Sequence, residues 1–186
     1  MYPITVDREL HLRLLLPEHA SALFVLTNSN RAYLRQWLPW LDKVRVVSDT
    51  ERFIDKSTLV YQESKAFVAG IWWNHRLVGV VGHNRIDWDN GITHPGYWLS
   101  QDCQNRGIMT RCVAALLRHA FNELELNRVE ICAAVGNDRS QAIPSRLGFI
   151  REGIRREGER LYDRYVDLVV YGLVKSAWRL RSALTR

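Results

Sequence analysis

Tyr97-Trp98-Leu99-Ser100-Gln101-Asp102-Cys103-Gln104-Asn105-Arg106-Gly107-Ile108-Met109 passes from an apolar strand pattern, through a polar stretch, into the start of a long helical repeat. A strand feeding a helix through a glycine loop has a specific electrostatic consequence. The first turn of a helix leaves about four backbone N–H groups without partners, and its dipole adds roughly half a positive charge there. Together these form an anion site suited to a pyrophosphate. Gly107 permits a tight turn and a close backbone approach, and Arg106 can add a charge-assisted contact of about 1.5–3 kcal/mol. A glycine before a helix is also an ordinary turn, so this segment alone leaves both readings open.

Working outward, Met109, Val113, Leu116, Leu117, Ala120 and Leu124 recur at helical spacing and predict a helix over Gly107–Leu124. Thr93–Leu99 precedes it as a strand, in which Pro95 cannot donate a ladder hydrogen bond and so predicts a bulged or unpaired position. Val129, Ile131, Ala133 and Val135 alternate as a buried strand. A short helix over Ser140–Leu147 is closed by Gly148, and Phe149–Gly153 and Tyr165–Val174 read as the last strands. Upstream, Glu9–Leu16 reads as a strand, and Pro17 opens a helix carrying Ala20, Leu23, Phe24 and Leu26. A second short helix carries Leu34, Trp37 and Leu38 and stops at Pro39. Ser48–Glu51 has capping-box spacing. Ala66–Trp73 and Leu77–Asn84 flank Asn74-His75, a two-residue hairpin turn. Trp72 and Trp73 alternate, so at most one is expected to face the core. Strands and helices mix throughout without repeat or linker, which predicts one mixed α/β domain over residues 1–186.

Composition narrows the classes. No run of eighteen apolar residues exists, so no transmembrane helix is expected. Asp7, Arg8 and Glu9 stand where a signal peptide needs an apolar stretch, which predicts a cytoplasmic chain. Cys103, Cys112 and Cys132 form no CxxC pair or ligand pattern, so reduced thiols and no metal site are expected. The net charge of +6 fits a phosphate-rich ligand, a nucleic acid or an acidic protein. Its densest cluster, Arg151, Arg155, Arg156 and Arg160, is broken by Glu152, Glu157 and Glu159 and reads as a solvated face. No RNA-binding aromatic motif is found, so direct nucleic-acid contact is not expected.

A second segment completes the pattern. Asn137-Asp138-Arg139-Ser140 opens a helix after a buried strand, and Arg146-Leu147-Gly148-Phe149 closes it. With Gln104-Asn105-Arg106-Gly107-Ile108-Met109, these residues resemble the GNAT acetyltransferase superfamily. There a Q/R-x-x-G-x-G/A loop binds the pyrophosphate of coenzyme A, and an N-x-x-S…G-F segment follows one strand later. Asn105 replaces a common glycine, though asparagine tolerates positive φ better than most residues. Met109 replaces the usual small residue. The Gly-Ile-Met ending, with Glu123–Val129 and Ile131–Asn137, is similar to the ribosomal-protein-serine/alanine (RimJ/RimL) type.

The resemblance implies an α+β fold: a mostly antiparallel twisted sheet, splayed between two parallel middle strands and flanked by helices. The splayed pair would be Thr93–Leu99 and Arg128–Val135. It implies an enzyme that moves the acetyl group of acetyl-CoA to an amine by direct attack in a ternary complex. Backbone N–H groups near Trp98 and Leu99, the loop Gln104, Asn105, Arg106, Gly107, Ile108 and Met109, and Asn137 and Ser140 would hold the cosubstrate. Ser140 would be the acid and Glu159 the base. Pro144 lacks the N–H that would bond the Ser140 carbonyl in a regular helix, so irregular backbone is expected there. Helix capping is the plain alternative for Ser140, and an exposed ion pair with Arg156 or Arg160 is the plain alternative for Glu159. Trp37 and Trp40 would line the acceptor groove, with ordinary packing as their alternative.

Chemistry bears on the acceptor. An α-amino group with pKa near 7.8 is about one-third neutral at pH 7.5, against about 0.1% for lysine. One modest base therefore suits an N-terminal amine, here that of a ribosomal protein, an acidic partner being compatible with the charge. A small-molecule or peptide amine is one alternative. A non-catalytic ribosome- or RNA-binding protein on the same fold is the other. Strand-rich edges are compatible with a homodimer.

Overall fold

The period-two stripes and the helical repeat meet in one eight-stranded sheet with apolar cores on both faces. The computed structural model describes residues 4–184; residues 1–3 and 185–186 of the expected 1–186 unit lie outside the described residues. Strands are β1 (Ile4–Thr5), β2 (Leu10–Leu14), β3 (Phe67–Trp73), β4 (Arg76–Asp87), β5 (Ile92–Leu99), β6 (Arg128–Ala134), β7 (Ile150–Leu161) and β8 (Arg164–Val174). Helices are α1 (Ala20–Ser29), α2 (Arg31–Leu34), α3 (Val47–Gln62), α4 (Ile108–Arg118), α5 (Asp138–Leu147) and α6 (Lys175–Leu184). Spatial order is β1-β2-β3-β4-β5-β6-β8-β7, and every neighbouring pair is antiparallel except β5–β6.

That parallel pair positions the site. It is registered only at Ile92 with Arg128 and Thr93 with Val129. Beyond Thr93 the strands part, and Pro95 sits just past the last registered pair. On its other side β5 stays paired with β4, Pro95 lying opposite His83 where the β4 register shifts. A missing N–H is tolerated where the ladder is already interrupted.

The larger core joins the sheet to α4, whose Cys112, Val113, Leu116 and Leu117 are fully buried against strand residues such as Phe67, Ile131 and Val169. Each large apolar side chain buried there contributes about 1.5–3 kcal/mol. The opposite face carries Leu23 of α1, Ile54 of α3 and Val80 of β4. Because both faces are covered, Trp73 packs on the first core and Trp72 on the second. This corrects the expectation that at most one faces a core. The hairpin turn at Asn74-His75 is as expected, with φ of +47° and +64°.

Several boundaries differ from the sequence reading. α2 stops at Leu34, Trp37 follows it in a turn, and Leu38 stands between that turn and the next one at Pro39. Leu38 precedes Pro39 and adopts φ −123°, ψ 80°, outside the helical region, as the proline ring requires. α3 begins at Val47, so Ser48 lies inside it rather than capping it. Asp49 does the capping, its carboxylate accepting the N–H groups of Arg45 at 2.7 Å and Val46 at 3.0 Å. The helix predicted to Leu124 loosens into a π-turn over His119–Glu123. β7 runs to Leu161 rather than ending at Gly153, and α6 follows β8 without a sequence expectation.

Candidate active site

The α4 entry is built by two left-handed residues. Asn105 has φ +59° and Gly107 has φ +69°. A Cβ on Gly107 would meet nothing within 4 Å, so the glycine is required by its dihedral rather than by space. Gly107 supplies no capping side chain, which leaves the first α4 amides open toward the hollow in front of them. That hollow is about 1140 Å³ and is lined by the whole run Gln104–Arg111, by Trp98 and Leu99, and by Gly136–Ser140. The two motifs are also joined directly: Arg139 donates to Gln104 Oε1 at 2.7 Å. Gln104 Nε2 is then buried without a partner, a donor whose desolvation needs an acceptor. Open amides, Arg106, Arg139 and this orphan donor fit a pyrophosphate and an amide-bearing arm.

α5 settles the capping question. Asn137 caps it, its side chain accepting the Ser140 N–H at 3.2 Å. Ser140 is therefore not the capping hydroxyl. Pro144 leaves the Ser140 carbonyl without its helical donor, and the Tyr97 hydroxyl takes that place at 3.1 Å. Ser140 Oγ also lies 3.3 Å from the Tyr97 hydroxyl. Burial pushes the Tyr97 phenol up to about 12, so it stays a neutral O–H. Sequence reasoning missed Tyr97. The signal was available in Pro144, because a proline inside a helix frees a carbonyl that some donor must satisfy.

A second hollow of about 330 Å³ lies on the other side of the splay. Trp37, Trp40, Phe53 and Val80 contribute apolar walls, and Asn84, Ser140 and Glu159 contribute polar groups. The two hollows share Trp37, Leu38, Tyr97, Trp98, Asn137 and Ser140 in their linings. Both spaces therefore open on the same gap, with the Ser140 hydroxyl in the common wall. Trp37 reaches across the gap, its ring 3.3 Å from where a Cβ on Gly136 would sit.

Glu159 reaches this second hollow through a bulge in β7. Arg155 pairs with Leu168 and Glu159 with Val166, so three residues bulge out between them. The bulge is fixed by the Glu157 N–H donating to Asp167 Oδ1 at 2.7 Å, with Glu157 at φ +48°. Bulges commonly re-aim a side chain beside a site. Partial desolvation by the hollow's wall raises the Glu159 pKa above its ordinary value, although the side chain stays exposed to solvent. The alternative reading, an ion pair with Arg156 or Arg160, is not found among the described residues; Arg160 Nε donates instead to the Tyr162 carbonyl at 3.2 Å. The hairpin tip is tied down on the far wall, where the Tyr162 hydroxyl donates to the Arg35 carbonyl at 2.6 Å. On β5, His94 Nδ1 lies 3.7 Å from Glu130 Oε1. Of the three free cysteines, Cys132 lines the smaller hollow.

Known proteins share this architecture. The YdaF protein of Bacillus subtilis, named for ribosomal N-acetylation, is 36% identical over 96% of this chain and 98% of its own. The ribosomal-protein-serine acetyltransferase of Escherichia coli is 32% identical over 92% of this chain and 96% of its own. The solved structure of RimL, a ribosomal L7/L12 alpha-N-protein acetyltransferase in complex with coenzyme A, superposes with a TM-score of 0.91 at 30% identity, covering 95% of this chain and 99% of that one. The microcin C7 self immunity acetyltransferase MccE, in complex with acetyl-CoA and AMP, superposes at 0.88 with 30% identity, covering 91% of this chain and 94% of that one. The acetyltransferase (GNAT) domain matches residues 9–150, spanning the parting strands, the left-handed loop and the capped α5, and the chain accordingly belongs to the GNAT acetyltransferase family.

Proposed function

We propose that this chain acetylates the N-terminal α-amine of a ribosomal protein, using acetyl-CoA, as one domain over residues 1–186. The observation that carries this is the pair of hollows meeting at one gap, with open amides on one side and a lone carboxylate on the other. Acetyl-CoA would supply an activated acetyl group as its thioester. Gln104–Met109 and Arg139 would hold its phosphates, and backbone N–H groups near Trp98 and Leu99 would orient its arm and polarise the acyl carbonyl.

On the other side, Glu159 would receive an ammonium group and then its proton. A carboxylate raised above its ordinary pKa by partial desolvation is a better proton acceptor. Ser140 Oγ, held beside Tyr97, would donate a proton to the departing thiolate. Trp37 and Trp40 would flank the acceptor chain, whose cation they can also attract. The relatives' acceptors support this reading: one related structure is described as modifying the N-terminal serine of ribosomal protein L7/L12, and one relative is named a ribosomal protein uS5-alanine N-acetyltransferase. Cytoplasmic residence, an acidic acceptor and a homodimer complete the proposal; no described helix is long and apolar enough to cross a membrane.

A second reading, acetylation of a small-molecule amine, is favoured by the likeness to a self-immunity enzyme whose structure holds AMP. Thiol release from acetyl-CoA, measured against a panel of short N-terminal peptides, polyamines and aminoacyl nucleotides, separates the two. Turnover concentrated on peptides with free α-amines supports the first, and turnover confined to nucleotides or polyamines supports the second. No thiol release with any acceptor, together with salt-sensitive RNA binding, would support a non-catalytic role.

A further inference from the structure

The β7–β8 hairpin leaves the sheet before it reaches Glu159. β8 pairs with β6 from Leu168 onward, and the bulge separates the pair Arg155–Leu168 from the pair Glu159–Val166. Residues 159–166 therefore form a two-stranded arm that pairs with no third strand among the described residues. Two strands alone are marginally stable in water, so other contacts must set the arm's direction. Glu159, Leu161 and Val166 of this arm line the smaller hollow. The place of the carboxylate thus depends on what holds the arm's tip.

The tip is a two-residue turn, Tyr162-Asp163, closed by the pair Leu161–Arg164. Tyr162 adopts φ +61°. Two-residue hairpin turns usually give such a position to glycine, asparagine or aspartate, and a bulky side chain is strained there. Tyr162 meets Arg35 twice. Its hydroxyl donates to the Arg35 carbonyl at 2.6 Å, and the Arg35 guanidinium lies over its ring, 5.2 Å from the centroid, within cation–π range. Arg35 in turn donates to both Asp42 carboxylate oxygens, at 2.7 and 2.8 Å. That ion pair closes the loop 35–42, from which Trp37, Leu38 and Trp40 enter the hollow. Tyr162 and Arg35 themselves stand outside the hollow's lining.

We infer that Tyr162 is a positioning residue, which fixes Glu159 relative to Trp37 and Trp40 by latching the arm to this braced loop. The inference rests on the reading of Glu159 as the base. A proton acceptor helps only at the right distance from the amine, and a misplacement of about 1 Å costs on the order of a hundredfold in rate. The latch gives the strained tyrosine its use: glycine would form the turn more easily, but it would leave the arm's tip unattached.

The test follows thiol release from acetyl-CoA with a short peptide bearing a free α-amine, for the native chain, Tyr162→Gly, Glu159→Gln and the double variant. Tyr162→Gly removes ring and hydroxyl while relaxing the turn. It melts within about 4 °C of the native chain and keeps native coenzyme A affinity, yet kcat/KM falls by about tenfold or more. Tyr162→Phe leaves the turn and the ring in place and loses only the hydrogen bond, about threefold, which repeats the comparison in a variant that folds as the native chain does. In the Glu159→Gln background either change costs at most about twofold, because Tyr162 acts through a carboxylate that is no longer there. A full loss that persists in that background, or native kcat/KM in Tyr162→Gly, overturns the inference and leaves Glu159 as the base. Native activity in Glu159→Gln itself removes the base, and this inference with it.

Discussion

Replacing Glu159 by glutamine keeps the shape of the smaller hollow and removes its one carboxylate. The hollow then loses a charge-assisted contact to the ammonium, about 1.5–3 kcal/mol, and loses general-base assistance of about 10²–10⁴-fold. The expected fall in kcat/KM at pH 7 is therefore at least about a hundredfold. The pH dependence carries more information. Without a base, the variant can use only amine that is already neutral. For an α-amine with pKa near 7.8 that fraction rises about sevenfold between pH 7 and pH 9, and for a lysine near 10.4 it rises about a hundredfold. Thiol-release assays of Glu159→Gln at both values thus report the acceptor class from the slope alone. The folded protein should respond in the opposite sense. Partial desolvation raises the pKa of the exposed Glu159 side chain above its unfolded value, so the folded state holds the proton somewhat more tightly. Stability from this group therefore falls as pH rises through the window above the unfolded pKa of about 4.3. Glu159→Gln should melt above the native chain at pH 7 and converge with it near pH 4. A variant within threefold of native activity at pH 7 would refute the assignment.

Three further outcomes follow from the same geometry. Tyr97→Phe removes the donor that replaces the missing Pro144 N–H; it should destabilise the fold by about 1–3 kcal/mol in denaturant titration and lower kcat more than it raises KM, because Ser140 loses its neighbour. Gly107→Ala forces alanine to φ +69°, a cost of about 1–2 kcal/mol, and should weaken coenzyme A binding by about tenfold in calorimetry without filling the hollow. His83 is fully buried beside His119, at 3.3 Å, and burial lowers its pKa to about 3. The unfolded chain binds a proton there below about pH 6.5 and the folded chain does not, so stability falls on acidification through that window, by about 3 kcal/mol by pH 4; His83→Leu should flatten that part of the stability curve in melts between pH 7 and pH 4.

The strand–loop–helix side of the candidate site was legible because it is local. A strand, a polar loop, a glycine and a helix lie consecutively in Tyr97–Met109, and Asn105 could be read as a residue at ease with the positive φ it adopts. The smaller hollow was legible only in part. Trp37, Trp40 and Glu159 do face one hollow, yet they come from elements far apart in sequence, and the reason they converge was hidden. Glu159 sits in a charged run that lacks apolar alternation because β7 is an exposed edge strand, so periodicity could not extend it past Gly153. Tyr97 escaped for a related reason: the carbonyl that Pro144 frees in α5 is satisfied from a distant strand, a consequence that appears only once the partners are in place. The charged cluster at Arg151–Arg160 was read correctly as solvated, but its bulge at Glu157 could not be seen without its neighbour Asp167.

The most direct measurement incubates the native chain with isotope-labelled acetyl-CoA and a purified ribosomal-protein fraction, then maps the label by tandem mass spectrometry. The label is predicted on the first residue of one ribosomal protein, and absent when Glu159→Gln replaces the native chain at pH 7. Label confined to lysine side chains, or incorporation equal in the native chain and the variant, would contradict the account.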